Sequence, residues 1–364
     1  MTRVLLYAPM NPPAPGAPPS GDRAMTSLLA KTLALKGYST EAASSLRSYE
    51  SQGNANAQAA IAAEAAFECE RLISAYRADP PAAWLTYMNY YKSPDHLGPV
   101  VARALGIPYV IVEASYAAKR AEGVFAAPHA AAKLALESAD VVFAMTQHDH
   151  AGLFQIVPAD RLHLLKPFID TALFQPPRRR RARTTPVILT VAMLRPGKKM
   201  ANFPLIAAAL ARLADLKWTW ILAGGGDGLA EAQAAFQTFP RDRVTFAGPM
   251  PREKMPGIYG LADIYLWPGL REAYGLSYLE AQACGLPVVA CATHGVPAVV
   301  QQGRGGLLSP AGDPDGLAMS LRVLLSNQLT RETMGEVASE FVHTERDLAH
   351  AADQLESVLR PLIR

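Results

Sequence analysis

Short apolar runs alternate with longer stretches of helical spacing along almost the whole chain. Runs at 4–8, 84–87, 109–113, 141–145, 187–193, 218–223, 244–247, 264–267 and 288–291 are short and rich in aliphatic and aromatic residues, as buried strands are. Between them, 22–36, 57–76, 200–213 and 253–261 have helical composition. Strand, helix and strand in repeated succession predict parallel, doubly wound sheets. The series is interrupted near 175–185, where Pro and Arg crowd together. The pattern therefore predicts an α/β protein of two Rossmann-like domains facing each other across a cleft. The first spans 1–175, a linker 176–185, the second 186–343, and a C-terminal helix 344–364.

Composition supports two cores: 364 residues are long for one, and 50% of them are apolar. Net charge excludes a broad nucleic-acid face, because five arginines within 178–183 carry the basic excess and their removal turns the formal charge from +3 to −2. That Arg run has two readings, a solvated interdomain linker or a peripheral contact with anionic lipid. The three cysteines, Cys69, Cys284 and Cys291, form no C-x-x-C or His/Cys cluster, which suits a reducing cytoplasm and offers no zinc site. His148 and His150, in T-Q-H-D-H, lack further ligands nearby and read as polar loop residues. No apolar run approaches the roughly 18 residues of a spanning helix, and the first strand is too short for a secretory signal.

The most informative segment is 268–292, P-G-L-R-E-A-Y-G-L-S-Y-L-E-A-Q-A-C-G-L-P-V-V-A-C-A. The strand at 264–267 is closed by Pro268 and Gly269, and 275–284 reads as a helix ended by Gly285 and Pro287. Glu272 then lies in the loop before the helix. Backbone N–H groups around Ala273, Tyr274, Gly275 and Leu276 form an anion site with the helix dipole. Glu280 lies about 7.5 Å further along the axis, at about 1.5 Å per residue. Two isolated glutamates would read as a helix cap and a solvated residue. Glu280, however, sits in an apolar helix where an acid needs a partner. The spacing suits a ligand with hydroxyls, then phosphates, then hydroxyls, which is the order of a nucleotide-sugar.

Other loops fall at the same edge of the second domain. M-L-R-P-G-K-K places Arg195, Lys198 and Lys199 at the carboxyl end of a strand, where ligands of open α/β sheets bind and where cations can neutralise a diphosphate. A-G-G-G-D-G, with Gly224 and Gly225, follows another strand and reads as a tight turn near the nucleotide. It lacks the spacing and the acidic residue of a dinucleotide fingerprint, which speaks against an oxidoreductase.

The 268–292 segment resembles the E-x7-E motif of retaining glycosyltransferases of family four, and A-C-G-L-P-V-V-A matches that family's continuation. The resemblance covers most of 187–326 and implies the two-domain GT-B fold. It further implies a hexosyl transfer from a nucleotide-sugar, with a UDP-sugar favoured, to a glycan, lipid-linked or small-molecule acceptor, and no bound metal or other cofactor. By the same resemblance Arg195 and Lys199 grip the diphosphate, with Lys198 the alternative, Glu272 meets the sugar and Glu280 the ribose. V-T-F-A-G-P-M-P-R-E-K-M resembles the strand and loop beneath the nucleobase, so backbone groups up to Met250 meet the base edge. Ser20-Gly21-Asp22-Arg23 resembles the glycine-containing loop that faces the donor phosphates. The resemblance also implies terminal helices packing back on the first domain. Two departures stand out: Glu113 and Ser115 occupy the neighbourhood in which many members have an acceptor-side His, and Ala298 stands where a Glu is usual. An epimerase of the same fold and a catalytically silent sugar-binding scaffold are the competing readings.

Overall fold

The computed structural model describes residues 2–13, 16, 20–177 and 183–363. Two compact units account for the chain, one of Met1–Lys166 with Leu348–Arg364 and one of Pro167–Asp347. Each is built on a six-stranded parallel sheet.

In the first unit the strands are β1 (Thr2–Tyr7), β2 (Tyr38–Ala42), β3 (Ala83–Asn89), β4 (Tyr109–Ala114), β5 (Val141–Ala144) and β6 (Leu162–Leu164). Their order is β2-β1-β3-β4-β5-β6. Helices α1 (Gly21–Leu35), α2 (Ala55–Tyr76), α3 (Gly98–Leu105), α4 (Ala126–Ser138) and α5 (Gln147–Leu153) connect them. Central strands such as V-I-V in β4 are apolar throughout because both faces of the sheet are covered. Buried Asp95 fixes the β3–α3 connection: Oδ1 accepts from the Leu97 and Gly98 N–H groups, and Oδ2 from the Thr86 and Tyr109 hydroxyls. Gly98 is required there, since a Cβ would stand 2.4 Å from both that carboxylate and the Tyr109 ring.

The second unit repeats the plan with β7 (Val187–Val191), β8 (Thr219–Ala223), β9 (Val244–Gly248), β10 (Ile264–Leu266), β11 (Val288–Cys291) and β12 (Gly306–Ser309), in the order β12-β11-β10-β7-β8-β9. Its helices are α6 (Asn202–Ala211), α7 (Leu229–Ala234), α8 (Met255–Gly260), α9 (Leu276–Ala283), α10 (Val296–Val299), α11 (Pro314–Ser326) and α12 (Gln328–Glu345). The chain then returns to the first unit as α13 (Leu348–Leu359), which packs on α1 and carries Asp353 to an ion pair with Lys36. In both sheets the chain winds one way and then reverses, between β1 and β3 and between β7 and β10. Such a reversal opens a crevice at the carboxyl ends of the two strands.

Three strands escape the hydrophobic pattern, and β2, β6 and β12 are all edge strands. An edge strand has one paired side and is less completely covered, so Y-S-T-E-A, L-H-L and G-L-L-S carry no long apolar run. His148 and His150 lie on α5 and not in a loop, with the His150 ring stacked near Phe154. Residues 167–175, expected in the first domain, pack with the second: Phe168 and Phe174 are buried, Phe174 against Tyr259, and the Ile169 N–H donates to the Arg346 carbonyl. Of the 176–185 segment, the described residues 176, 177 and 183–185 also fall within that unit, so the chain enters it before the Pro and Arg-rich stretch. Of the Arg run, 178–182 lie outside the described residues, while the Arg183 guanidinium donates to the Leu261 carbonyl. Among the described residues no helix is long and apolar enough to cross a membrane.

Candidate functional site

The expected donor-side residues of the second unit all follow the carboxyl ends of four neighbouring strands, β10, β7, β8 and β9. Lys199 comes from the loop after β7 and Glu272 from the loop after β10, the two strands flanking the reversal. Their side chains meet there, with Lys199 Nζ 2.7 Å from Glu272 Oε2. Glu272 Oε1 accepts from the Trp267 indole N–H at 3.1 Å. The carboxylate is largely covered while the lysine is half exposed, at 15% and 49% of their side-chain surfaces. Arg195 and Lys198 are exposed on the same loop.

Asn202 holds these two loops in register, and the sequence pattern gave it no role beyond a helical position. It is fully buried at the first residue of α6. Its Nδ2 donates to the Lys199 carbonyl at 2.7 Å and to the Leu270 carbonyl at 3.2 Å, while Oδ1 accepts from the Leu270 N–H at 2.9 Å. An amide suits this place because it donates and accepts at once. Its position three residues beyond the basic pair was the available signal.

The β10–α9 loop is folded over the buried Tyr278 ring. Tyr278 donates to the Trp267 carbonyl at 2.9 Å, and Cβ atoms at Gly269 or Gly275 would come within 2.4 and 2.8 Å of Tyr278. Both glycines have φ near +80°, and Arg271, just before Glu272, has φ +69°. Helix α9 starts after Gly275 with no side-chain cap. The Tyr278 N–H turns back to the Gly275 carbonyl, so the N–H groups of Leu276 and Ser277, beside Ala273 and Tyr274, are the ones that face an anion at the positive end of the helix dipole.

Glu280 is buried on α9 and has the partners its setting demands. Tyr259 donates to Oε2 at 2.9 Å, and Arg252 Nη1 stands 3.6 Å from Oε1. Burial pushes the Glu280 carboxyl above its ordinary value, against the opposing pull of Arg252 and the Tyr259 hydrogen bond. Neither partner was singled out from the sequence, although both lie in the segment after β9.

The glycine run after β8 serves backbone approach. The Ala192 N–H donates to the Ala223 carbonyl, the Leu194 N–H to the Gly225 carbonyl, and the Gly228 N–H to the Leu194 carbonyl. A Cβ on Gly224 would stand 1.8 Å from the Ala192 carbonyl oxygen, and one on Gly226 2.4 Å from that of Leu194. The run thus aligns the backbone leading to Arg195. Gly225 packs near Pro249, and half-buried Met250 follows β9 at the same edge.

In the first unit Gly21 opens α1 behind the Ser20 cap, whose hydroxyl accepts from the Arg23 N–H. A Cβ there would meet nothing within 4 Å. Glu113, the penultimate residue of β4, has φ +61° and accepts from the Tyr87 hydroxyl at 2.7 Å. The neighbouring Ser115 N–H donates to the Asn89 carbonyl.

Residues 185–327 match the family described as glycosyl transferases group 1. The chain is 31% identical over 246 residues to the D-inositol 3-phosphate glycosyltransferase of Corynebacterium glutamicum, covering 63% of this chain and 59% of that protein. It is 34% identical over 226 residues to the protein of that name from Kribbella flavida, covering 56% and 53%. The chain thus spans little more than half the length of these relatives. Among solved structures, sucrose-phosphate synthase from Thermosynechococcus elongatus superimposes with a TM-score of 0.77 at 20% identity, over 100% of this chain and 99% of that one. Anabaena HepE in complex with UDP-glucose gives 0.74 at 16% identity, with both chains fully covered. The fold is GT-B.

Proposed function

We propose that this chain, a family-four-like protein with a group 1 glycosyl transferase segment on a GT-B fold, moves a hexosyl group from a nucleotide-sugar to an acceptor hydroxyl with retention. The observation that carries the reading is the meeting of Lys199 and Glu272 beside the uncapped start of α9, at the reversal between β7 and β10. A diphosphate set at that helix start would take hydrogen bonds from the first-turn N–H groups. It would draw Lys199 and Arg195 to its oxygens as charge builds on the leaving group. Glu272, held by Trp267, then accepts from the hydroxyls of the sugar, and Glu280 keeps acceptor capacity for the ribose. Met250 and the backbone before it border the base. By the family resemblance Gly21 is assigned to the donor phosphates, and Glu113 and Ser115 to the acceptor side.

In this reading the acceptor hydroxyl attacks the face from which the diphosphate departs, and the departing oxygen takes its proton. The chain orients the substrates and stabilises negative charge without a metal. UDP-sugars are the favoured donors, since HepE has been solved with UDP-glucose.

The test is a calorimetric and thermal-shift panel of UDP, GDP, ADP and their sugar conjugates against wild type and Glu272→Ala. One nucleotide series should stabilise both proteins, with the added contribution of the sugar lost in the variant. Turnover should collapse in the variant, persist in EDTA and give product with the donor's anomeric configuration. Near-normal turnover of Glu272→Ala would refute the assignment.

A further inference from the structure

Three buried tyrosines of the second unit pack ring against ring in series. Tyr265, the middle residue of β10, stands edge-on to Tyr278 with centroids 5.7 Å apart and is tilted against Tyr259 at 6.1 Å. Both neighbours have a settled partner: Tyr278 donates to the Trp267 carbonyl and Tyr259 to the Glu280 carboxylate. The Tyr265 hydroxyl instead lies between the end of β7 and the first turn of α9. It donates to Ser277 Oγ at 2.8 Å, with the Val191 carbonyl oxygen further off at 3.3 Å. Burial, together with the charges of Glu272 and Glu280, pushes this hydroxyl above its ordinary value against the opposing contacts with Ser277 and Val191. Tyr265 therefore keeps its proton and serves as a donor.

Ser277 is left with an unused donor. A serine hydroxyl accepts through its oxygen and has one proton to give. The oxygen is taken by Tyr265, and among the described residues nothing accepts the proton. Ser277 is half-buried at the second residue of α9, in the turn that faces an anion and beside the loop whose Glu272 meets Lys199. A spare O–H at that point is complementary to a charged oxygen, and such a bond is roughly twice as strong as one between neutral groups.

We propose that the Ser277 hydroxyl, oriented by Tyr265, donates a hydrogen bond to the diphosphate of the nucleotide-sugar. Ser277 touches the leaving group, and Tyr265 is a positioning residue that acts through it. The inference rests on the transferase reading above and adds a side-chain donor to its diphosphate site. The bond from Tyr265 polarises the Ser277 O–H, so the two in series bind an anion better than Ser277 alone. Their contribution grows as charge builds on the departing diphosphate.

The experiment titrates the full chain with UDP, GDP and ADP and with uridine, guanosine and adenosine. It compares wild type with Ser277→Ala, Ser277→Thr, Tyr265→Phe and the Ser277→Ala/Tyr265→Phe double variant, with a thermal melt of each. Wild type should bind one of the three diphosphates. Ser277→Ala should weaken that binding by about tenfold, as for one lost hydrogen bond to a charged group, and leave the matching nucleoside unchanged. Ser277→Thr keeps the hydroxyl and should recover most of the affinity. Tyr265→Phe keeps the ring packing and should also weaken the diphosphate alone, with no further loss in the double variant, because Tyr265 acts through Ser277. Unchanged diphosphate affinity in Ser277→Ala, or no recovery in Ser277→Thr, would overturn the contact. Nucleoside affinity falling as far as diphosphate affinity would overturn it too, since a disturbed loop would then be the cause. Losses that add in the double variant would remove the positioning role of Tyr265. Diphosphate binding that is the same in wild type and Ser277→Ala leaves the transferase reading standing without this inference, whereas no diphosphate binding by wild type would sink both.

Discussion

Replacing Asn202 by Ala should loosen the donor-side site without touching any group expected to meet the substrate. The substitution deletes three hydrogen bonds and leaves the Leu270 N–H without the side chain that accepts from it. At about 1 kcal/mol net for each bond, with up to about 3 kcal/mol for one orphaned buried donor, a destabilisation of roughly 3 kcal/mol is expected. For a unit of this size that lowers Tm by roughly 6–12 °C. The effect on turnover has a separate origin, because Lys199 and the loop carrying Glu272 would lose their shared anchor. A misplacement of about 1 Å in such a constellation is worth roughly 100-fold in rate. The assay pairs a thermal melt with kcat and KM for the donor identified by the nucleotide panel. Asn202→Asp separates the two effects, since it keeps the acceptor for Leu270 and sets an anion against two carbonyl oxygens. A merely structural role would lower Tm alone; kcat falling with little change in nucleotide affinity is the signature of a positioning residue. Wild-type melting and wild-type kcat in Asn202→Ala would refute the reasoning.

Further outcomes are expected elsewhere in the second unit and at Gly21. Because burial raises the Glu280 carboxyl in the folded chain, its contribution to stability is present below the unfolded value of about 4.5 and is lost as pH rises through the higher folded value. Urea unfolding across pH should therefore show Glu280→Gln gaining on wild type as pH rises through that window, and a constant difference would refute the sign. Gly224→Ala should fail to fold or melt far lower, as its Cβ would overlap the Ala192 carbonyl, so soluble protein with wild-type Tm would contradict the packing argument. Gly21→Ala has open space and should melt normally; a loss of donor affinity in that variant would then report contact with the ligand, and unchanged affinity would remove Gly21 from the site.

What could be read from the sequence follows from where burial is most complete. Interior strands are covered on both faces, so V-I-V-E-A and V-V-A-C announce themselves, while β2, β6 and β12 at the edges do not. The Glu272 and Glu280 pair was legible because acids in an apolar segment demand an explanation. Its supports were not: Asn202, Trp267, Tyr259 and Arg252 act through hydrogen bonds and ion pairs across 5 to 68 positions of sequence, and nothing local to any of them marks the partner. The glycine run shows the opposite failing. Its composition suggested ligand proximity, whereas Gly224 and Gly226 are explained by the carbonyl oxygens of the adjoining segment, which no spacing rule reveals.

Backbone strain gives an independent view of both units. Among the described residues four that are not glycine have positive φ: Met88 and Glu113 in the first unit and Arg271 and His294 in the second. Met88 and Glu113 lie at the carboxyl ends of β3 and β4, while Arg271 and His294 lie in the loops that follow β10 and β11. Each costs about 1 kcal/mol or more and persists only where surrounding contacts hold it. Those contacts are visible: Glu113 is bonded to Tyr87, Arg271 lies between Leu270 on Asn202 and Glu272 on Lys199, and His294 follows Thr293, whose hydroxyl donates to the Gly269 carbonyl. A fold that needed these turns only to reverse its chain would place glycine there at less cost. Strain confined to one edge of each sheet, at the edge where the strand order opens a crevice, agrees with a ligand site in each unit. In the second unit Arg271 adjoins Glu272, the carboxylate that meets Lys199 beside the start of α9.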